Sequence, residues 1–204
     1  MNVKSTFIAF LALPLAVTAA TDCTALRTLN LPQTRIHSAD HVAAGDRLTL
    51  WAGGQPQAML KAFCRVRGTA SHVIGSTIGF EVWLPEPAAW NGKYLQAGNG
   101  GTAGSVPLSS LMDGLLRGYA TAATDGGHLW PDAMDYGWAN GRPESVVDFG
   151  WRAVQRTTMV AKRIVAAGLG AKPKKHFFMG CSDGGRDALM AAQRSSFVFL
   201  WCLA

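Results

Sequence analysis

Beyond its first twenty residues the sequence has no long apolar run and no basic stripe, and both absences exclude a class of partner. No later segment reaches the length of a membrane-spanning helix, so no membrane association is expected. The net charge is +6, but the basic residues are scattered, and only Lys172, Lys174 and Lys175 form a tight group. A nucleic-acid surface would need a basic stripe with interleaved aromatic residues, so no nucleic-acid partner is expected either.

The sequence also lacks the common signatures of metal and nucleotide sites. It contains no C-x-x-C pair and no His/Cys cluster of the kind that binds zinc. The segment Gly98–Gly104 carries four glycines in seven residues but lacks the GK[ST] of a P-loop and is not G-x-G-x-x-G. We therefore expect no metal and no nucleotide cofactor.

The N-terminus has the pattern of a secretory signal peptide over residues 1–20. Lys4 supplies the positive charge, Phe7 to Val17 an apolar core, and Thr18-Ala19-Ala20 a cleavage site of small residues. All four cysteines lie beyond it, and in an oxidising compartment they can pair in three ways. The sequence thus predicts a secreted or periplasmic protein. A bridge between Cys23 and Cys64 would tie an irregular N-terminal arm, with short strands, to the body of the domain.

From about residue 74 onward, predicted strands alternate with predicted helices. Strands are expected at 74–84, 93–97 and 119–124, a helix at 108–116, and a long helix from Pro143-Glu144 that ends at Gly168 or Gly170. One face of that helix should carry a stripe of Val147, Trp151, Val154, Thr158, Ala161 and Val165. This alternation predicts an α/β fold built on a largely parallel sheet with flanking helices.

The segment from Lys174 to Met190 organises the rest of the chain. A short apolar run leads into Gly180-Cys181-Ser182-Asp183-Gly184, and a helix-forming run follows. This strand–turn–helix context makes the G-x-S-x-G pattern a nucleophile elbow. Side chains at Gly180 and Gly184 would collide with the neighbouring strand and helix, while Ser182 should adopt a strained conformation that exposes its hydroxyl.

A serine nucleophile needs a general base, which this sequence does not place where it usually lies. In α/β hydrolases the acid and the histidine follow the serine along the chain, but no histidine follows Ser182. His128 lies at the end of a predicted strand and is the upstream candidate for a base, although loop ordering is the simpler role. We expect His176 to be structural, and His37, His41 and His72 to lie on the surface.

Several stretches together resemble the tannase and feruloyl esterase family of serine hydrolases, which includes mono(2-hydroxyethyl) terephthalate hydrolase. The Cys-Ser pair at the elbow is the most specific of them, because a cysteine directly before the nucleophile is unusual among α/β hydrolases. In chain order they are residues 80–85, 90–93, 98–104, 118–122, 124–128, 148–154 and 180–186.

The resemblance implies roles for individual residues. Ser182 would be the nucleophile toward esters of aromatic acids such as gallate or ferulate, acting through an acyl-serine intermediate. Gly101 and Asp183 would donate backbone N–H groups to the oxyanion, and Cys23 and Cys64 would form the N-terminal bridge of the family. In the family, the cysteine at the position of Cys181 pairs with one beside the catalytic histidine, and an inserted lid commonly binds calcium.

The resemblance ends after Arg194. The lid with its calcium site, the C-terminal strands and the triad Asp and His are not in the sequence, so residues 21–194 represent the N-terminal portion of an α/β-hydrolase domain. Residues 195–204 form an aberrant apolar tail, which a frameshift or premature stop would explain. We expect one open edge on the elbow strand and little or no turnover. The pairing of Cys181 and Cys202 stays open. The alternatives are a non-catalytic remnant that binds aromatic ligands and, less favoured, an acyltransferase or depolymerase on the same fold.

Overall fold

The computed structural model describes residues 22–195 and the backbone of residues 201–203. The predicted signal peptide and most of the apolar tail lie outside the described residues. None of the described helices is long and apolar enough to cross a membrane.

The described chain forms a seven-stranded mixed sheet with helices on both faces. Strand order is β1-β4-β5-β7-β6-β8-β9, and β2 and β3 form a separate small ribbon. The strands are β1 (Thr34–Val42), β2 (Arg47–Leu48), β3 (Gln57–Ala58), β4 (Phe63–Ala70), β5 (Ile78–Pro85), β6 (Lys93–Ala97), β7 (Ala120–Thr124), β8 (Lys175–Met179) and β9 (Trp201–Leu203). The helices are α1 (Leu108–Leu116), α2 (Pro143–Val147), α3 (Ala153–Leu169) and α4 (Asp183–Ser195). The α/β class is thus confirmed.

The first half of the sheet is antiparallel. Strand β1 pairs with β4, β4 with β5, and β5 with β7, all in antiparallel register. The interpretation of residues 21–70 as an irregular arm with short strands was wrong, because β1 and β4 are among the longest strands of the sheet. A disulfide joins Cys23 to Cys64 on β4 across 41 residues. It fastens the short 3₁₀ helix Cys23–Thr28 beside the sheet, where Leu26 is buried in the core.

The second half of the sheet is parallel and carries the crossover helices. Strand β6 pairs with β7 on one side and with β8 on the other, both in parallel. Helix α1 packs on one face, where Leu111 and Leu115 join Trp83 and Phe63 in a buried cluster. Helices α3 and α4 pack on the opposite face, where Ile164 and Ala188 belong to the larger core cluster. Parallel strands need such crossovers because a tight turn cannot join them.

The long helix predicted from Pro143 is interrupted by one wide turn. Residues Asp148–Arg152 form a π-helical turn between α2 and α3, and Gly170 ends α3 in the left-handed conformation at φ 67°. The predicted apolar stripe holds within α3, where Val154, Ala161 and Val165 are buried. Before α3 it fails, because the wide turn rotates Asp148 and Arg152 into the interior instead.

The predicted open edge of the elbow strand is covered, so that expectation was wrong. The backbone of β9 pairs in parallel with β8, with Phe178 opposite Cys202.

Candidate active site

Ser182 lies at the sharp turn between β8 and α4. Its backbone is in the left-handed region at φ 56°, one of the few non-glycine residues of the described chain in that region. The N–H of Gly184 donates to the carbonyl of Cys181, and the N–H of Gly185 donates to the carbonyl of Ser182. Both hydrogen bonds are 3.0 Å long. Ser182 and Cys181 are both exposed, and Cys181 is a free thiol. The strained, outward-facing serine of the predicted elbow is therefore observed.

Glycine is required around this turn because three backbones meet without intervening side chains. A Cβ on Gly180 would lie 2.2 Å from the carbonyl oxygen of Gly184. A Cβ on Gly98 would lie 2.6 Å from the Cα of Gly184. Real Cβ atoms do not approach backbone this closely, so the elbow helix can sit against β6 and β8 only with glycine at these positions.

The glycine-rich loop after β6 is fastened directly to the elbow. The N–H of Gly98 donates to the carbonyl of Met179 over 2.9 Å, and the N–H of Asn99 donates to the Asp187 carboxylate over 3.3 Å. Gly101 has φ 59°, and a Cβ there would lie 2.1 Å from the carbonyl oxygen of Ala133. The strand order and these bonds bring the predicted site residues Ser182, Gly101 and Asp183 to the edge of the sheet formed by the carboxyl ends of β6 and β8.

Two backbone N–H groups at this edge are uncommitted. Those of Gly101 and Asp183 donate to no acceptor within residues 22–195. Asp183 is the first residue of α4, where the unpaired N–H groups and the helix dipole favour negative charge. The arrangement can stabilise an anion beside the serine hydroxyl, although the donor roles of the two residues remain predictions.

Arg186 holds the first turn of α4 in place. Its guanidinium donates to both oxygens of Asp183, at 2.6 and 3.2 Å, and to Asp187 at 3.0 Å. It also donates to the carbonyl of Gly150 and lies 4.1 Å from the ring centre of Phe149. The π-helical turn thus supports the elbow. No pattern in the sequence had indicated this contact.

Asp187 combines burial with an ion pair to Arg186. It is only 2% exposed. Burial raises its pKa to about 7, and Asp183 adds to the rise, while Arg186 and the N–H of Asn99 oppose it. Because Asp187 accepts a bond from the glycine-rich loop, its charge affects how firmly that loop is tied to the elbow.

His128 is held in a structural setting. Its Nε2 lies 2.9 Å from the carbonyl oxygen of Thr102, which it can only approach as a donor. The ring is stacked on Trp138 with centroids 3.8 Å apart, and burial lowers its pKa. These contacts fit the predicted role of His128 in ordering the loops that carry Thr102 and Trp138. A role as general base stays untested.

None of the other histidines reaches the serine. His176 is half-buried on β8 with its ring edge toward Tyr94, while His37, His41 and His72 are exposed as expected. Within residues 22–195 no histidine hydrogen-bonds to Ser182, so the described structure places no base beside the predicted nucleophile.

A buried charged network beside this edge was not recognised from the sequence. Arg152 donates to Asp148 and, over 2.6 Å, to Glu144, while the hydroxyl of Ser76 donates to Asp148 over 2.7 Å. Next to this network, the carboxylate of Asp125 accepts hydrogen bonds from the backbone N–H groups of Gly79 and Gly127. Burial raises the pKa of Asp125 to about 7. The spacing of Glu144, Asp148 and Arg152 at four-residue steps was the available signal.

The described residues offer no ligand set for a metal. No group of three or more His, Cys, Asp or Glu side chains in this part of the chain is arranged to hold an ion. The described residues therefore do not fit the calcium site that the resemblance associates with the lid.

Comparison with known proteins decides the family. The sequence model of tannase and feruloyl esterase matches residues 64–199. The chain belongs to this family. The match ends at residue 199, five residues after Arg194.

Individual relatives agree. An uncharacterised esterase of Xanthomonas campestris is 43% identical over 93% of this chain and 32% of its own length. Mono(2-hydroxyethyl) terephthalate hydrolase of Piscinibacter sakaiensis is 32% identical over 67% of this chain and 25% of its own. The crystal structure of feruloyl esterase B from Aspergillus oryzae superposes with a TM-score of 0.80 at 27% identity, over 90% of this chain and 37% of that one. The chain spans about a third of the length of the curated relatives it matches.

Proposed function

We propose that this chain carries the nucleophile and the oxyanion donors of an exported carboxylic ester hydrolase that acts on esters of aromatic acids. The observation that carries the proposal is the exposed Ser182 at φ 56°, at the start of α4 and beside uncommitted N–H groups. Family membership supports ester hydrolysis. Two relatives, a feruloyl esterase and a mono(2-hydroxyethyl) terephthalate hydrolase, support an aromatic acyl group in the substrate.

The chemistry proposed for the site is acyl transfer. The Oγ of Ser182 attacks the ester carbonyl, its proton passes to a base, and the carbonyl oxygen becomes an anion between the N–H groups of Gly101 and Asp183. Collapse of this intermediate expels the alcohol, which takes up the proton, and leaves an acyl-serine. Water then hydrolyses the acyl-serine to the free acid and restores the hydroxyl. Without an adjacent histidine the first proton transfer is slow, so the isolated chain should turn over little.

Export is part of the proposal. The signal-peptide pattern of residues 1–20 and the disulfide between Cys23 and Cys64 both suit an oxidising compartment. Edman sequencing or mass spectrometry of the exported product should give a mature N-terminus near Thr21. An uncleaved product retained in the cytosol would contradict it.

The nucleophile is tested by covalent labelling. The purified chain from Thr21, its Ser182→Ala variant and the control Ser71→Ala are treated with a fluorophosphonate, and the labelled peptide is identified by mass spectrometry. We expect slow labelling at Ser182 that added imidazole accelerates by supplying the missing base. We expect none in Ser182→Ala and an unchanged rate in Ser71→Ala.

Ester hydrolysis gives the complementary measurement. With methyl ferulate, methyl gallate and p-nitrophenyl acetate, the wild type should show at most a small excess over Ser182→Ala. Fast turnover lost in Ser182→Ala would show that the chain contains its own base, and fast turnover retained in it would reject the nucleophile. Absence of label at Ser182 in folded protein, with saturable binding of ferulate, would favour the aromatic-ligand-binding alternative.

A further inference from the structure

A small cavity lies far along the sheet from Ser182, between the start of β1, the end of β4 and helix α3. Its volume is about 70 Å³. Since a cavity needs only ~10–15 Å³ of such space to hold one water, this one has room for a small polyatomic ion. The polar side chains on its wall belong to Gln33, Thr34, His72, Arg156 and Arg163, none of which takes part in the ester site.

The charge around this cavity is positive and uncompensated. Arg156 and Arg163 project from the same face of α3, seven residues apart, and neither has a carboxylate partner within residues 22–195. Arg152, one turn earlier, shows the contrast, since it pairs with both Asp148 and Glu144. Unpaired arginines gathered around a recess are the arrangement that planar guanidinium groups use to bind oxyanions.

His72 also lies beside these arginines. Its Nδ1 contacts the guanidinium of Arg156 and lies 2.9 Å from the side-chain oxygen of Gln33. Although His72 is largely exposed, its pKa is lowered first by partial desolvation and then by Arg156 and Arg152, which outweigh the opposing effect of Asp148. The pKa of Arg156 is lowered by burial and by Arg152. Arg152 therefore repels the charge on Arg156, and a bound anion would relieve that repulsion.

We propose that this cavity binds an inorganic tetrahedral oxyanion, phosphate or sulfate. Arg156 and Arg163 donate N–H bonds to its oxygens from α3, and His72 adds a third donor from the segment after β4. The apolar wall formed by Leu31, Ala70 and Val160 keeps these bonds partly shielded from water. The site shares no residue with the proposed ester site, so the two proposals are tested separately.

Binding is tested by calorimetric titration of the full chain with sodium phosphate in a chloride buffer of constant ionic strength. We expect saturable binding that sulfate competes for. Kd should rise at least tenfold in the double variant Arg156→Gln/Arg163→Gln and stay unchanged in the control Arg117→Gln, an exposed arginine at the end of α1. Tighter binding of glycerol 3-phosphate than of phosphate would overturn the assignment to a free inorganic ion.

Thermal unfolding separates this site from general salt effects and from a purely structural role. Phosphate stabilises many proteins without a site, so its effect on the double variant is the baseline, and the wild type should gain more. In phosphate-free chloride buffer, Arg156→Gln should unfold at the same or a higher temperature than the wild type, because it removes an unpaired charge. A lower midpoint for that variant, with equal gains from phosphate in all variants, would overturn the proposal.

Discussion

The two halves of the sheet are built by different means. The antiparallel half, β1, β4 and β5, is held by contacts between paired strands and by the disulfide from Cys23 to Cys64. The parallel half, β7, β6 and β8, depends on helical crossovers and on backbones that meet at glycine. The candidate active site lies entirely in the second half.

The difference explains where chemistry can be placed. In a parallel arrangement the loops that follow neighbouring strands emerge at the same edge, so the loop after β6 and the turn after β8 meet there. Antiparallel neighbours send consecutive loops to opposite edges. The first half therefore serves as a scaffold, joined to the second where Asp125 accepts the N–H of Gly79 on β5.

Breaking the disulfide should have the largest effect on stability, and the effect should come from the antiparallel half. Cys23→Ser/Cys64→Ser opens a loop of 41 residues, which costs about 4 kcal/mol in the chain-entropy model. Urea unfolding of the oxidised wild type, the reduced wild type and the double variant measures the loss. Reduced wild type and double variant should agree. A loss under about 1 kcal/mol would mean that the strands alone fasten this half.

A methyl group at the elbow should be the next most damaging change, and it tests the parallel half. Gly180→Ala places a Cβ against the carbonyl oxygen of Gly184 and should cost about 3 kcal/mol through forced backbone shifts. The matched control is Gly185→Ala, where nothing lies within 4 Å. Because it lies inside α4, the control should be neutral or slightly stabilising. Equal destabilisation in urea by both changes would refute the close-packing argument.

Replacing Asp187 should have the smallest effect on the free energy of unfolding, and the effect should appear only when stability is measured as a function of pH. Its pKa is raised in the folded state to about 7, so the native protein holds a proton that the unfolded chain loses near pH 4. Its contribution to stability is thus present below about pH 4 and is lost as pH rises to about 7. Asp187→Asn removes the titration but keeps an oxygen for the N–H of Asn99.

Relative to this variant, the wild type should lose about 2 kcal/mol of unfolding free energy between pH 5 and pH 7. Urea curves at the two pH values measure it, with the exposed Asp113→Asn on α1 as the control. A pH-independent difference between wild type and Asp187→Asn would show that Arg186 keeps the carboxylate charged throughout.

Prediction from the sequence succeeded where local chemistry decides the structure. Helix α1 lies at the residues predicted for it, and the elbow has the expected strand, strained serine and helix. The prediction failed for β1 and β4, which were interpreted as an irregular arm. Pro32, Pro56 and paired glycines interrupt the strand pattern of the sequence there. The pairing of these two strands joins residues distant in sequence, which no local window contains.

The sequence by itself determined the elbow, because a left-handed serine between a strand and a helix tolerates only glycine where the backbones meet. Tertiary structure alone decided the support around it. The wide turn at Asp148–Arg152 brings Gly150 and Phe149 to Arg186, and the strand order brings Asn99 to Asp187. These contacts join segments tens of residues apart, and their geometry depends on how the helices pack on the sheet.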